Sequence, residues 1–92
     1  MTQVILVPRP LPRWLTIRYA LLWKAYDNKT FNYEQAKKTL DEKDTLVIVV
    51  LSTLRRMGWL EVTKNPEDKR TRMYKLVDPT KAMLQIAKSE DP

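Results

Sequence analysis

A mainly α-helical domain closed by one small β-hairpin, an α+β arrangement, is the fold class this sequence predicts. Three observations predict it. The chain has one glycine among 92 residues and is 43% hydrophobic, a composition that leans helical. That glycine, Gly58, follows a long run with helical spacing, where a helix would end in a left-handed residue that glycine adopts at little steric cost. Beyond it, residues 59–63 alternate with aromatic and β-branched side chains, and Arg72-Met73-Tyr74-Lys75-Leu76 returns as the partner strand. Asn65-Pro66-Glu67-Asp68 between them is turn chemistry, so the pair reads as a hairpin.

The elements can be justified in order. Residues 1–11 read as an N-terminal arm or short strand. Val4-Ile5-Leu6-Val7 is apolar, and Pro8, Pro10 and Pro12 make a stiff connector that cannot continue a ladder. Pro12 suits an early helical position, and the spacing predicts a first helix over 12–26. Leu15, Tyr19, Leu22 and Tyr26 share one face, Trp14, Ile17 and Leu21 another, and Trp23 lies off both. A helix apolar nearly all round is covered on more than one side. The second face is expected to meet either another copy of the chain or the chain's own arm or C-terminal helix. Asp27-Asn28-Lys29 is a loop, and Thr30-Phe31 has room for a very short strand. Asn32, with Gln35 three residues on, is a capping box for a second helix over 33–40, with Tyr33, Ala36 and Leu40 inward. Asp41-Glu42-Lys43 is a tight polar turn.

The third helix is the ambiguous element. Leu46-Val47-Ile48-Val49-Val50-Leu51 alone has strand composition. Its context argues for a helix. Asp44 is the expected cap, the segment continues unbroken to Met57, and Gly58 follows. Val47, Val50, Leu51 and Leu54 then form an inward stripe at i, i+3, i+4 and i+7. The outward face is Thr45, Val49, Ser52 and Arg56, flanked by Ile48, Thr53 and Arg55. After the hairpin, Asp78-Pro79 starts a short helix carrying Ala82, Met83, Ile86 and Ala87 to about Ser89. One domain over 12–89 is expected, with 90–92 as a frayed tail.

Charge narrows the function. There are 17 basic and 11 acidic residues, a net charge of +6, which favours a polyanionic partner. Residues 1–26 carry Arg9, Arg13, Arg18 and Lys24 with no acid. Residues 55–79 carry seven basic residues against four acidic, and residues 27–54 four against five. The positive charge thus gathers in the N-terminal region, at the end of the third helix and on the hairpin. The chain has neither cysteine nor histidine, which removes disulfides, thiolate metal sites and the commonest general base. Thr45, Ser52 and Thr53 lack a residue to activate them as nucleophiles. Asp41, Glu42 and Asp44 lack the glycine and spacing of a calcium loop. No enzyme activity, cofactor or metal is expected. No apolar run is long enough to span a bilayer, and a cytoplasmic location is expected.

Helix, helix, turn, helix, glycine and hairpin is the element order of a winged helix-turn-helix domain. Gly58-Trp59-Leu60 and the turn Asn65-Pro66-Glu67-Asp68-Lys69-Arg70 resemble the MarR-type regulators, and resemble small archaeal winged-helix proteins more closely still. The resemblance spans about residues 12–80. It implies that Asp68 pairs with an arginine and shapes the wing, and that Arg70 reaches into a minor groove. It also implies that the third helix lies in the major groove, with Thr45, Ser52, Thr53 and Arg56 near bases or phosphates. Arg55, Lys64, Lys69 and Arg72 complete the expected DNA-binding set. The chain is too short for the long terminal helices through which MarR-type proteins dimerise. A homodimer is therefore expected through the first helix and the terminal segments.

Between Thr45 and Thr53 the third helix has no charged or amide side chain, the usual readers of guanine and adenine. Ile48 and Val49 offer contact with thymine methyls. Two readings follow: a small transcription regulator selecting double-stranded DNA by sequence or shape, or a protein-interaction winged-helix module, such as an antitoxin-like or accessory subunit. Trp14, Trp23 and Trp59 read as core or interface anchors.

Overall fold

The computed structural model describes residues 8–68 and 71–89. The elements are α1 (Arg13–Tyr26), α2 (Tyr33–Leu40), α3 (Asp44–Arg56), β1 (Leu60–Lys64), β2 (Arg72–Leu76) and α4 (Pro79–Ser89). The expected strand within residues 1–7 and the tail at 90–92 lie outside the described residues. So do Lys69 and Arg70 at the hairpin tip.

α1 packs against α2 and α3, α3 against β1, and α2 against β2. The first three helices contribute most of their predicted stripes to one core, with Tyr26 and Tyr33 only partly buried at its margin. Leu15, Tyr19 and Leu22 come from α1, Ala36 and Leu40 from α2, and Val47, Val50, Leu51 and Leu54 from α3. Phe31, Trp59, Leu60, Leu76 and Ala82 complete it. Burying the branched residues of α3 offsets their poor intrinsic helix propensity, so packing overrides local preference.

Two helix starts and one short strand differ from the sequence expectation. Pro12 precedes the first helix in extended conformation, and its carbonyl accepts the N–H groups of Leu15 at 3.0 Å and Thr16 at 2.9 Å. Asp44 is not the cap of α3. Lys43 holds that position without a side-chain cap, and Asp44 is the first helical residue. Its carboxylate is engaged instead by the Tyr33 hydroxyl at 2.7 Å and Lys37 Nζ at 3.0 Å. There it also compensates the positive end of the helix dipole. Thr30-Phe31 does not form a strand. Phe31 makes a single antiparallel bridge to Tyr74.

α2 opens with the expected capping box between Asn32 and Gln35. α3 ends in a Schellman corner. The Trp59 N–H donates to the Leu54 carbonyl at 2.9 Å and the Gly58 N–H to the Arg55 carbonyl at 3.2 Å. Gly58 takes φ 85°, a left-handed turn natural to glycine. The buried Leu54 and Trp59 flank that corner.

β1 and β2 are antiparallel, with Leu60 opposite Leu76, Val62 opposite Tyr74 and Lys64 opposite Arg72. Leu60 and Leu76 are buried at the base while Lys64 and Arg72 are exposed near the tip. The hairpin is thus anchored in the core at one end and solvated at the other.

Candidate nucleic-acid interface

The outward side of α3 and the adjacent face of the hairpin enclose an open hollow of about 630 Å³. Ile48, Leu51, Ser52, Arg55 and Arg56 line it from α3, and Val62, Arg72 and Tyr74 from the strands. Tyr33, at the start of α2, closes one side. Helical spacing explains the α3 contribution, since residues 48, 52, 55 and 56 recur on one side of the helix. Strand alternation does the same for Arg72 and Tyr74, two residues apart on β2.

Of the residues expected at a DNA interface, Ser52, Arg55, Arg56 and Arg72 meet around this hollow. Thr45 is exposed one turn before Ile48, and Lys64 is exposed opposite Arg72. Thr53 is half-buried, and its hydroxyl accepts from Arg56 at 3.5 Å. Tyr33 and Tyr74 were not expected at this surface. Tyr74 was legible in the alternation of β2, whereas Tyr33 read as an inward residue of α2.

The hairpin turn has its own bonds. The Asn65 N–H donates to the Thr71 carbonyl at 3.0 Å, and the Thr71 N–H to the Asp68 carbonyl at 3.0 Å. The Asn65 side chain accepts the Glu67 N–H at 3.0 Å, an Asx turn. The Asp68 carboxylate accepts the Thr71 hydroxyl at 3.0 Å, so Asp68 takes part in shaping the turn.

Two titrating groups at the α2–α3 junction are coupled. The hydrogen bond from the Tyr33 hydroxyl and the ammonium of Lys37 lower the Asp44 carboxyl below its ordinary value. The same hydrogen bond, with some desolvation and the neighbouring negative charge, pushes the Tyr33 hydroxyl up to about 12. Across the domain, burial and then the charge of Asp78 raise Tyr19 well above its usual value. Its hydroxyl donates to the Val77 carbonyl.

A second, apolar groove of about 710 Å³ lies between α1 and α4. Leu11, Tyr19 and Trp23 line one side, Trp59 the floor, and Met83 and Ile86 the other side. Trp14, Ile17 and Leu21 are exposed along a different stripe of α1, and Met83 and Leu84 protrude from α4. Among the described residues no three acidic side chains gather as metal ligands. No described helix is long and apolar enough to cross a membrane.

Comparison with known proteins gives one related sequence and several related structures. The methylase subunit of the type I restriction enzyme MjaVII from Methanocaldococcus jannaschii is 34% identical over 74 residues. Those cover 77% of this chain and 13% of that protein, so the chain spans about an eighth of the relative's length. A mutant MarR from E. coli complexed with operator DNA superposes with a TM-score of 0.63 at 22% identity, over 85% of this chain and 52% of that one. The PcaV transcriptional regulator from Streptomyces coelicolor, in complex with its natural ligand, gives 0.60 at 17% identity, over 90% and 60%. At such identities the structures establish a shared fold, that of MarR-type proteins. The sequence profile of the winged helix DNA-binding domain matches residues 27–80, more than half of the chain, and to that family this chain belongs.

Proposed function

We propose that the domain binds double-stranded DNA and acts as a small transcription regulator. The observation that carries this reading is the hollow between α3 and the hairpin, where Arg55, Arg56 and Arg72 converge beside an exposed helix face. Three guanidiniums from two elements match a curved phosphate backbone, and an exposed helix beside them matches a major groove. Thr45, Ser52 and Thr53 complete the helix contribution, and Lys64 and Lys69 add phosphate contacts along the wing. Asp68 shapes the wing, and Arg70 enters the adjacent minor groove.

The operator complex described for the MarR relative and the regulator described for PcaV support this assignment. A homodimer through α1 and the terminal segments goes with it. The exposed Trp14, Ile17 and Leu21 support the dimer, because apolar side chains grouped on a surface favour a protein partner. The reading has no catalytic step, and the place of action is the cytoplasm.

The α1–α4 groove favours a second reading, that of a protein-interaction module within a larger assembly. Fluorescence anisotropy with a labelled random duplex, across a salt series, separates the two. Affinity that falls steeply with salt supports the DNA reading. No binding at low salt returns the assignment to the interaction module.

A further inference from the structure

The exposed stripe of α3 is chemically unusual for a helix facing DNA. Thr45, Ile48, Val49 and Ser52 stand at i, i+3, i+4 and i+7, and all four are exposed. Ile48 is 56% and Val49 46% exposed although the opposite face of the same helix is fully buried. The Ser52 hydroxyl, one turn beyond Ile48, already donates to the Val49 carbonyl at 3.2 Å. In this conformation Ser52 has no proton left for guanine N7 or O6. The charged groups lie one turn further on, at Arg55 and Arg56, and across the hollow at Arg72. The surface is therefore apolar at its centre and cationic at its edge.

That arrangement constrains what the centre of the helix can face. A cytosine amino group or a guanine carbonyl pressed against two branched aliphatic side chains loses water and gains no partner, which is unfavourable. One feature of the major-groove edge suits such a surface, the C5-methyl group of a pyrimidine. Thymine carries it, and so does 5-methylcytosine.

Resting on the DNA reading above, we infer that Ile48 and Val49 are the specificity-determining residues, and that they select duplexes presenting C5-methyl groups in the major groove. The arginines supply affinity through phosphates, while the methyl contacts supply the choice of site. The cationic edge argues for DNA rather than an apolar protein partner at this face, since a protein partner would have to bring carboxylates to Arg55, Arg56 and Arg72 at the same time.

The test compares an alternating A·T duplex with the same duplex carrying deoxyuridine for thymidine, which deletes the methyl and leaves base pairing unchanged. Affinity is expected to fall about fourfold for each contacted methyl, the worth of one buried methyl group. A parallel pair, a G·C duplex with and without 5-methylcytosine, distinguishes the two sources. Tightening there assigns the methyl whatever base carries it, and no change assigns thymine alone. In the Ile48→Ala/Val49→Ala variant the thymine–uracil difference is expected to vanish while the salt dependence stays. Both side chains are exposed, so the variant is expected to keep the helical circular dichroism of the parent. Equal binding of thymine and uracil duplexes, or a preference that survives in the variant, overturns the inference and leaves DNA binding standing. No binding to any duplex at low salt overturns both.

Discussion

The indole Nε1–H of Trp59 donates to the carbonyl oxygen of Arg9 at 2.6 Å, across fifty residues of chain. The Arg9 N–H in turn donates to the Met57 carbonyl at 3.0 Å. The extended arm before α1 is thus fastened to the corner where α3 becomes the hairpin. Trp59 also packs edge-on against Tyr19, with ring centroids 5.1 Å apart, so one side chain joins the arm, α1 and the corner.

Replacing Trp59 by phenylalanine removes the donor and leaves the Arg9 carbonyl without it. The cost expected is about 2 kcal/mol, combining a lost hydrogen bond with a partly emptied site. Thermal unfolding should show a melting temperature lower by roughly 10 °C. A shift within a degree of the parent would mean that the Trp59–Arg9 hydrogen bond contributes nothing to stability.

Arg72→Ala should weaken duplex binding without changing which sequences are preferred, because a phosphate contact carries no base information. The slope of log affinity against log salt should fall by about one. The measurement is anisotropy at several salt concentrations, and an unchanged slope would remove Arg72 from the interface.

The junction of α2 and α3 should report on pH from both ends. Asp44 has a folded pKa below its ordinary value of 3.8, because it accepts from Tyr33 and faces Lys37. Its contribution to stability is therefore present above pH 3.8 and lost as pH falls through the lower, folded value. Tyr33 shows the opposite sign. Its pKa rises from 10.0 to about 12, so its contribution is complete below pH 10 and lost as pH climbs through about 12. Tyr33→Phe should return the Asp44 carboxyl towards 3.8. An NMR titration of that carboxyl in parent and variant decides the matter.

Ile17→Asp places a charge in the exposed apolar stripe of α1 and should turn the proposed homodimer into a monomer. Sedimentation velocity at several protein concentrations reads this directly. A parent chain that sediments as a monomer at every concentration would falsify the dimer.

Much of this arrangement was legible in the sequence because its signals agreed with one another. Gly58 sits where a left-handed corner is needed, Asn32 and Gln35 form their reciprocal cap, and Val47, Val50, Leu51 and Leu54 fill the core. The run from Leu46 to Leu51 shows why local preference alone is insufficient. Its β-branched residues form a helix because one face of that helix is buried.

What was not legible depends on contacts between distant positions. Asp44 looked like a cap because caps are read from neighbours, whereas its partners Tyr33 and Lys37 belong to the preceding helix. Phe31 looked like the edge of a strand, but it is fully buried and makes one bridge. Three of the nine residues lining the candidate interface, Arg55, Arg56 and Arg72, were visible as charge. Tyr33 was missed there, since an aromatic residue near the start of a short amphipathic helix looks like core.

The Phe31 bridge divides the hairpin into two zones with different tolerance to change. The Phe31 N–H and carbonyl both bond to Tyr74, at 2.9 and 2.7 Å, and the two rings stack 5.9 Å apart. Below Tyr74 the strands are stitched to the remainder of the domain, so insertions there would unpick the core. Above it the ladder continues to Lys64 and Arg72, and beyond that Asn65, Glu67, Asp68 and Thr71 are joined by the turn's own bonds. The base of the hairpin is thus part of the core through Leu60 and Leu76, whereas Asn65 to Asp68 add nothing to it.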